Sequence, residues 1–154
     1  MAYYLIIRVG KICGWMLMAL VIVQFSVVLA RYVFGINYLW AQEAAIYLHG
    51  AIFMLASGWA LLTDRHVRID LFSSRFSPTK RRALDMFGAV FLLLPMMAAI
   101  VITSLGYVSE SWIILEGSPE VSGLGGRYLF KTLVPLFAVL MVVAGITKIV
   151  RGCE

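Results

Sequence analysis

Two histidines, two cysteines and eight carboxylates are the side chains of this sequence best suited to acid–base, redox or metal chemistry. Their spacing argues against most of it. His49 sits inside an apolar stretch, and His66 follows seventeen residues later, beyond the end of the same stretch. A bis-histidine haem needs two imidazoles facing each other across a bundle. These two cannot clamp one haem within a single copy, so haem ligation would require a second His49 from another copy. The structural alternative is a histidine that hydrogen-bonds between helices. Cys13 and Cys153 lie near the two ends, with no Cys/His cluster to hold zinc. Glu43 begins an apolar stretch, where a helix dipole favours a carboxylate, and Arg31 lies across the same short loop as a pairing partner. Asp64, Arg65, His66, Arg68 and Asp70 cluster at the other end of that stretch, and exposed clusters of this kind are usually solvated. No nucleophile–base pair and no phosphate-binding glycine loop is present. The residues predict neither an enzyme nor a cofactor or metal site in this chain.

The elements that must position these groups are set by composition. Of 154 residues, 62% are hydrophobic and 14% charged, against about 25% charged in soluble domains. So small a soluble chain could not bury that much apolar surface; lipid is the solvent that fits. Four stretches free of Asp, Glu, Lys and Arg predict membrane spans at about 12–30, 44–63, 86–109 and 128–147, the last extended if Lys131 snorkels. Without water to satisfy the backbone, these spans must be helices. The prediction is one all-α integral membrane domain over 1–154. The first span has the basic start of a signal sequence (Arg8, Lys11), but its apolar run is too long for one, so it is expected to stay as a span.

Ten of the thirteen Lys and Arg fall on the N-tail, second loop and C-tail, and three (Arg31, Arg127, Lys131) on the first and third loops. The positive-inside rule then predicts both termini in the cytoplasm. It also explains the net charge of +5 without nucleic acid. The first loop, Arg31 to Glu43, carries Tyr32, Phe34, Tyr38 and Trp40, side chains suited to the headgroup level. It is expected to lie along the outer surface, with a turn at Gly35 and Asn37. In the second loop, Ile69, Phe72 and Phe76 share one helical face, with Arg68 and Arg75 elsewhere, which predicts an interfacial amphipathic segment touching lipid. Ser77-Pro78 reads as an N-cap and first helical residue. A helix from Pro78 to about Ser111 would be about 50 Å long, with a kink expected at Pro95. The third loop, with Glu110, Glu116, Glu120 and several glycines, reads as a flexible connection turning at Gly117-Ser118-Pro119. His49 is the only intramembrane ionisable group of the kind that marks an ion path, so the chain is not expected to transport by itself.

In order along the chain, Arg31-Tyr32-Val33-Phe34, Trp40-Ala41-Gln42-Glu43, Gly58 within the second span, and His66-Val67-Arg68-Ile69-Asp70 form a pattern. It resembles the small, DctQ-type membrane subunit of TRAP (tripartite ATP-independent periplasmic) transporters. Before the fourth helix the family's proline-containing approach is replaced by Gly123-Leu124-Gly125-Gly126. The resemblance implies a scaffold in the cytoplasmic membrane of a bacterium or archaeon. Its implied partners are a large many-helix subunit, which carries sodium ions and substrate, and a periplasmic binding protein that delivers the substrate, typically an organic acid. It also implies that Arg31, Trp40, Glu43, Gly58, His66 and Asp70 fix helix ends or subunit contacts. Two other readings stand beside it: the membrane anchor of a respiratory oxidoreductase with haem on His49, and a small homo-oligomeric exporter.

Overall fold

A main chain in hydrocarbon has to satisfy its own N–H and C=O groups, and the computed structural model does so with helices alone among its described residues, 2–63, 65 and 77–151. Helix α1 is Ala2–Val33 and α2 is Leu39–Leu62. Helix α3, Pro78–Gly88, passes through a π-helical stretch, Ala89–Leu93, into α4, Leu94–Ile113; α5 is Arg127–Arg151. With α3 and α4 counted as one continuous run, four helices are long and apolar enough to cross a membrane. His66, Asp70 and the amphipathic segment expected around Arg68, Phe72, Arg75 and Phe76 lie outside the described residues, as does Cys153.

The helices run past the charges that bound the apolar stretches. Arg31 and Tyr32 end α1, and Trp40 to Glu43 open α2, so the first connection is only residues 34–38. The reason is that a charge marks the edge of hydrocarbon, whereas a helix continues for as long as its hydrogen bonds do. Helix α1 has 32 residues, about 48 Å at 1.5 Å each, against a hydrocarbon core of about 30 Å. It ends where Gly35 takes φ 68°, a value that favours glycine, and the Ile36 N–H donates back to the Ala30 carbonyl at 3.0 Å. Asn37 then accepts a hydrogen bond from the Gln42 amide, tying the connection to the first turns of α2.

Helix α3 starts as its sequence suggests, with Ser77 extended (ψ 153°) and Pro78 in the first turn, but the Ser77 hydroxyl makes no capping bond. Ahead of Pro95 the ladder widens: the Leu94 N–H donates to the Ala89 carbonyl, five residues back. A proline gives no N–H and crowds the carbonyl four residues before it, and one turn of π-helix absorbs that misfit. Leu93, on the widened turn, fills the space over Gly145 of α5. Pro135 lies inside α5 and leaves the Lys131 carbonyl without its usual N–H donor.

Helix α2 packs against α1 and α5, and α4 packs against α5. Contacts between α2 and α5 advance together along both chains. Tyr47 stacks on Phe130 at 4.9 Å, Phe130 also covers Gly50, Gly58 meets the Leu140 main chain, and Lys148 donates to the Leu61 carbonyl at 3.2 Å. The two helices therefore run parallel. Small residues make the seam tight: Ala41, Ala45 and Gly58 are buried on α2, and Ala138 and Ala144 on α5, the pattern that lets helices approach in lipid. A core of Met97, Ala138 and Met141 joins α4 to α5, with Leu61 and Leu93 packed on it. Gly10 of α1 is covered by the Trp59 ring, whereas Gly14, one turn on, has open space beside it among the described residues.

A Cβ at Gly58 would come 3.3 Å from the Leu140 carbonyl oxygen, a main-chain atom that cannot rotate away. Gly58→Val should destabilise the bundle by about 1–3 kcal/mol. Thermal unfolding in detergent would register this as a lower midpoint, with Gly14→Ala unchanged as the control; an unchanged midpoint for both would mean that the α2–α5 seam is looser than described.

Candidate functional site

The polar chemistry gathers at the end of the bundle that holds the first connection and the 114–126 loop, called the clasp end below. Glu43 is in the second turn of α2, past the first turn, which holds no acidic residue. Its carboxylate accepts from the Ser118 hydroxyl at 2.5 Å and from the Leu124 N–H at 2.6 Å. Both donors belong to the loop before α5, which is thereby folded onto α2. Ser118 also accepts the Glu120 N–H at 3.1 Å, and the Gly123 N–H closes a turn onto the Glu120 carbonyl at 3.1 Å. Gly123 has a specific reason to be glycine: a Cβ there would run into the Ser118 side chain and lie 2.7 Å from the Glu43 carboxylate. Gly126, at φ 109°, turns the chain into α5, where the Leu129 N–H donates to its carbonyl at 3.0 Å.

A second carboxylate ties α4 to α5. Glu116 accepts from the Ser111 hydroxyl at 2.6 Å and from the Lys131 ammonium, and it lies 3.6 Å from the Arg127 guanidinium. The Lys131 ammonium also stands 4.0 Å over the Tyr107 ring, a cation–π contact. Beside this cluster the Trp112 indole N–H donates to the Thr132 hydroxyl at 2.9 Å, with the Trp112 ring edge-on to Tyr128 at 4.7 Å. The Lys131 hydrogen bond, then that from Ser111, holds the Glu116 carboxyl below the ordinary glutamate value. The site is cohesive: the Glu43 and Glu116 carboxylates are both engaged by donors from the same chain.

The structure divides the residues singled out in the sequence. Glu43 is in the clasp, held by the loop rather than by Arg31, which is exposed at the end of α1. Tyr32, Phe34, Tyr38 and Trp40 are exposed around the same end, with the Tyr38 and Trp40 rings 6.1 Å apart. Gly58 is elsewhere, buried in the α2–α5 seam. Sequence reasoning missed Ser111, Ser118 and the Leu124 N–H, and treated Glu116 and Lys131 as separate loop charges. Opposite charges flanking one glycine-rich connection were the available signal. Lys131 finds its counter-charge in the loop, and its side chain is only 13% exposed.

A family model described as "Tripartite ATP-independent periplasmic transporters, DctQ component" matches residues 17–154. The chain belongs to the DctQ family. It is thus a small membrane component of a TRAP transporter, from a family of transporter components and not of enzymes. The match takes in the clasp, all of α2 and all the described residues after it, and begins within α1. No individual curated protein matched the chain. The respiratory-anchor reading gains no support from the family, and His49, its haem ligand, is exposed on α2.

Two predictions follow the geometry of this DctQ clasp. Glu43→Ala leaves the Ser118 hydroxyl and the Leu124 N–H without their acceptor, at a cost of about 1–2 kcal/mol for partly solvated bonds to a charge. Limited proteolysis of the 114–126 loop should speed up accordingly; equal cleavage rates would remove Glu43 from the anchor role. The second concerns pH. A carboxylate whose folded pKa lies below its unfolded value of about 4.3 contributes stability above that pH and loses it as pH falls through the folded pKa. Glu116→Gln cannot titrate. The wild type should therefore unfold at a higher temperature than Glu116→Gln at neutral pH, with a gap that is steady down to about pH 5 and closes at lower pH. A gap that ignores pH would show that the carboxylate charge plays no part in the bridge.

Proposed function

We propose that this DctQ chain is a scaffold that binds and stabilises the large, many-helix subunit of a sodium-coupled, binding-protein-dependent secondary transporter importing an organic acid, and that it carries no substrate itself. The observation that supports this most directly is where charge is used. The charge-free stretches of the spans offer His49 as their only ionisable group of the kind that lines an ion path, while Glu43, Glu116, Lys131 and Lys148 are spent on holding helices together. In this reading sodium ions and substrate belong to the partner, and a periplasmic binding protein delivers the substrate from the clasp end. Both termini then lie in the cytoplasm, in the cytoplasmic membrane of a bacterium or archaeon. The clasp end carries three basic residues and the other end ten, the Lys and Arg bias that supports this orientation. The exposed Tyr32, Phe34, Tyr38 and Trp40 are placed to sit among lipid headgroups or against a partner.

The test is purification of the tagged chain from native membranes in a gentle detergent, with mass spectrometry of what stays bound. A stoichiometric, much larger polytopic membrane protein is expected. Reconstituted with it, the binding protein and an inward sodium gradient, the complex should take up an organic acid, while the small chain alone in liposomes should pass none. Recovery with a flavin or iron–sulfur subunit would restore the respiratory anchor, and flux through the chain alone would restore the homo-oligomeric exporter.

A further inference from the structure

Most polar side chains within these helices are satisfied locally. Ser26, Ser57, Thr103, Ser104 and Thr147 each turn their hydroxyl back onto a carbonyl three or four residues earlier in their own helix. Gln24 of α1 and His49 of α2 are different: both are exposed, and neither has a hydrogen-bond partner among the described residues. They line one shallow groove of about 280 Å³ between the two helices, together with Leu20, Ala45 and Ile46. They also lie at one depth. Gln24 is seven residues before Arg31 and His49 six residues after Glu43, so both are about 10 Å inside the clasp-end boundary. On α2 the exposed Ile46 and Phe53 flank His49 on the same face, at the spacing of an amphipathic stripe. Acyl chains at that depth cannot hydrogen-bond, and an unsatisfied polar group there is costly.

We infer that the groove between α1 and α2 is the seat of a transmembrane helix of the large partner subunit, one that places a hydrogen-bonding side chain against Gln24 and His49. The inference rests on the scaffold reading and adds to it which face is used and what the occupant must present. Headgroups lie too far out to reach the pair, so the occupant has to be protein that is polar at bilayer depth. The rest of the groove is apolar and fits the aliphatic part of such a helix.

The test uses the whole transporter complex. Gln24→Leu/His49→Leu should insert and unfold like the wild type, because both positions are exposed, yet lower the ratio of large subunit to tagged chain roughly tenfold for two interhelical hydrogen bonds. In parallel, a benzophenone amino acid at Ile46 should photocross-link to the large subunit, and one at Ile102, exposed on α4, should not. If the wild-type chain retains no large subunit, the scaffold reading itself falls. If the wild type retains it and the double variant retains it equally, only the α1–α2 seat is wrong. A cross-link from Ile46 to lipid alone, or to a second copy of this chain, also overturns the seat.

Discussion

Two helices lying side by side and pointing the same way set their dipoles against each other, and hydrocarbon screens that repulsion poorly. The parallel pair α2 and α5 is nonetheless the centre of this bundle. What makes it tolerable is charge placed at both ends. Near the N-terminal end of α2 the Glu43 carboxylate draws in the loop that leads to α5. At the C-terminal end the Lys148 ammonium of α5 binds the Leu61 carbonyl of α2, so a cation meets the negative pole, with Arg65 over the Trp59 ring nearby. Between these fastenings Gly58 lets the two main chains approach. Helices α1 and α4 then attach to the finished pair, α1 through Trp59 over Gly10 and α4 through Leu93 over Gly145.

The 114–126 loop is therefore a structural element and not slack between spans. Its two carboxylate anchors point to different helices: Glu43 holds the loop to α2, while Glu116, itself in the loop, holds Ser111 of α4 to Lys131 of α5. A chain held at both places has little freedom left, and its glycines serve that confinement. Gly123 lets the backbone cross the Glu43 carboxylate, and Gly126 supplies the φ needed to enter α5. The sequence invites the opposite reading, because glycine and serine between two apolar spans are also the composition of a flexible linker. Only the three-dimensional placement of an acceptor on α2, far back in the sequence, decides between them.

That contrast marks what the residues alone could convey. The four helices were legible because lipid enforces a simple rule, that a run of about 20 uncharged apolar residues must be helical. Their true ends were not, because Arg31 and Glu43 mark the edge of hydrocarbon and the hydrogen-bond ladder passes beyond them. The start of α3 at Pro78 was legible from local chemistry. The π-turn before Pro95 was only half visible: proline signals a misfit, but the widened ladder over Ala89–Leu93, with Leu93 over the bare surface of Gly145, has no local signature. Gly58 stood out as a residue type and Glu43 as a helix-end charge, yet their partners, the Leu140 main chain and the Leu124 N–H, lie about eighty residues away and have no local signature. Backbone donors never do.

The same logic separates the centre of the molecule from its rim. In water, an apolar helix face announces that something covers it; in a bilayer it announces nothing, since lipid tails and a partner's leucines are equivalent surroundings. The spans of α1 and α4 are only 6% buried within the chain, against 28% for α5, and on apolar character alone no face of either could be assigned to lipid or to protein. Polar groups break the tie, because lipid cannot satisfy them. Where a hydroxyl bonds back to its own helix, the question is closed within the chain. Where an amide and an imidazole stand together at one depth with no partner among the described residues, as Gln24 and His49 do, the missing bonds are a requirement placed on the surroundings, and only a molecule with polar groups at that depth can meet it.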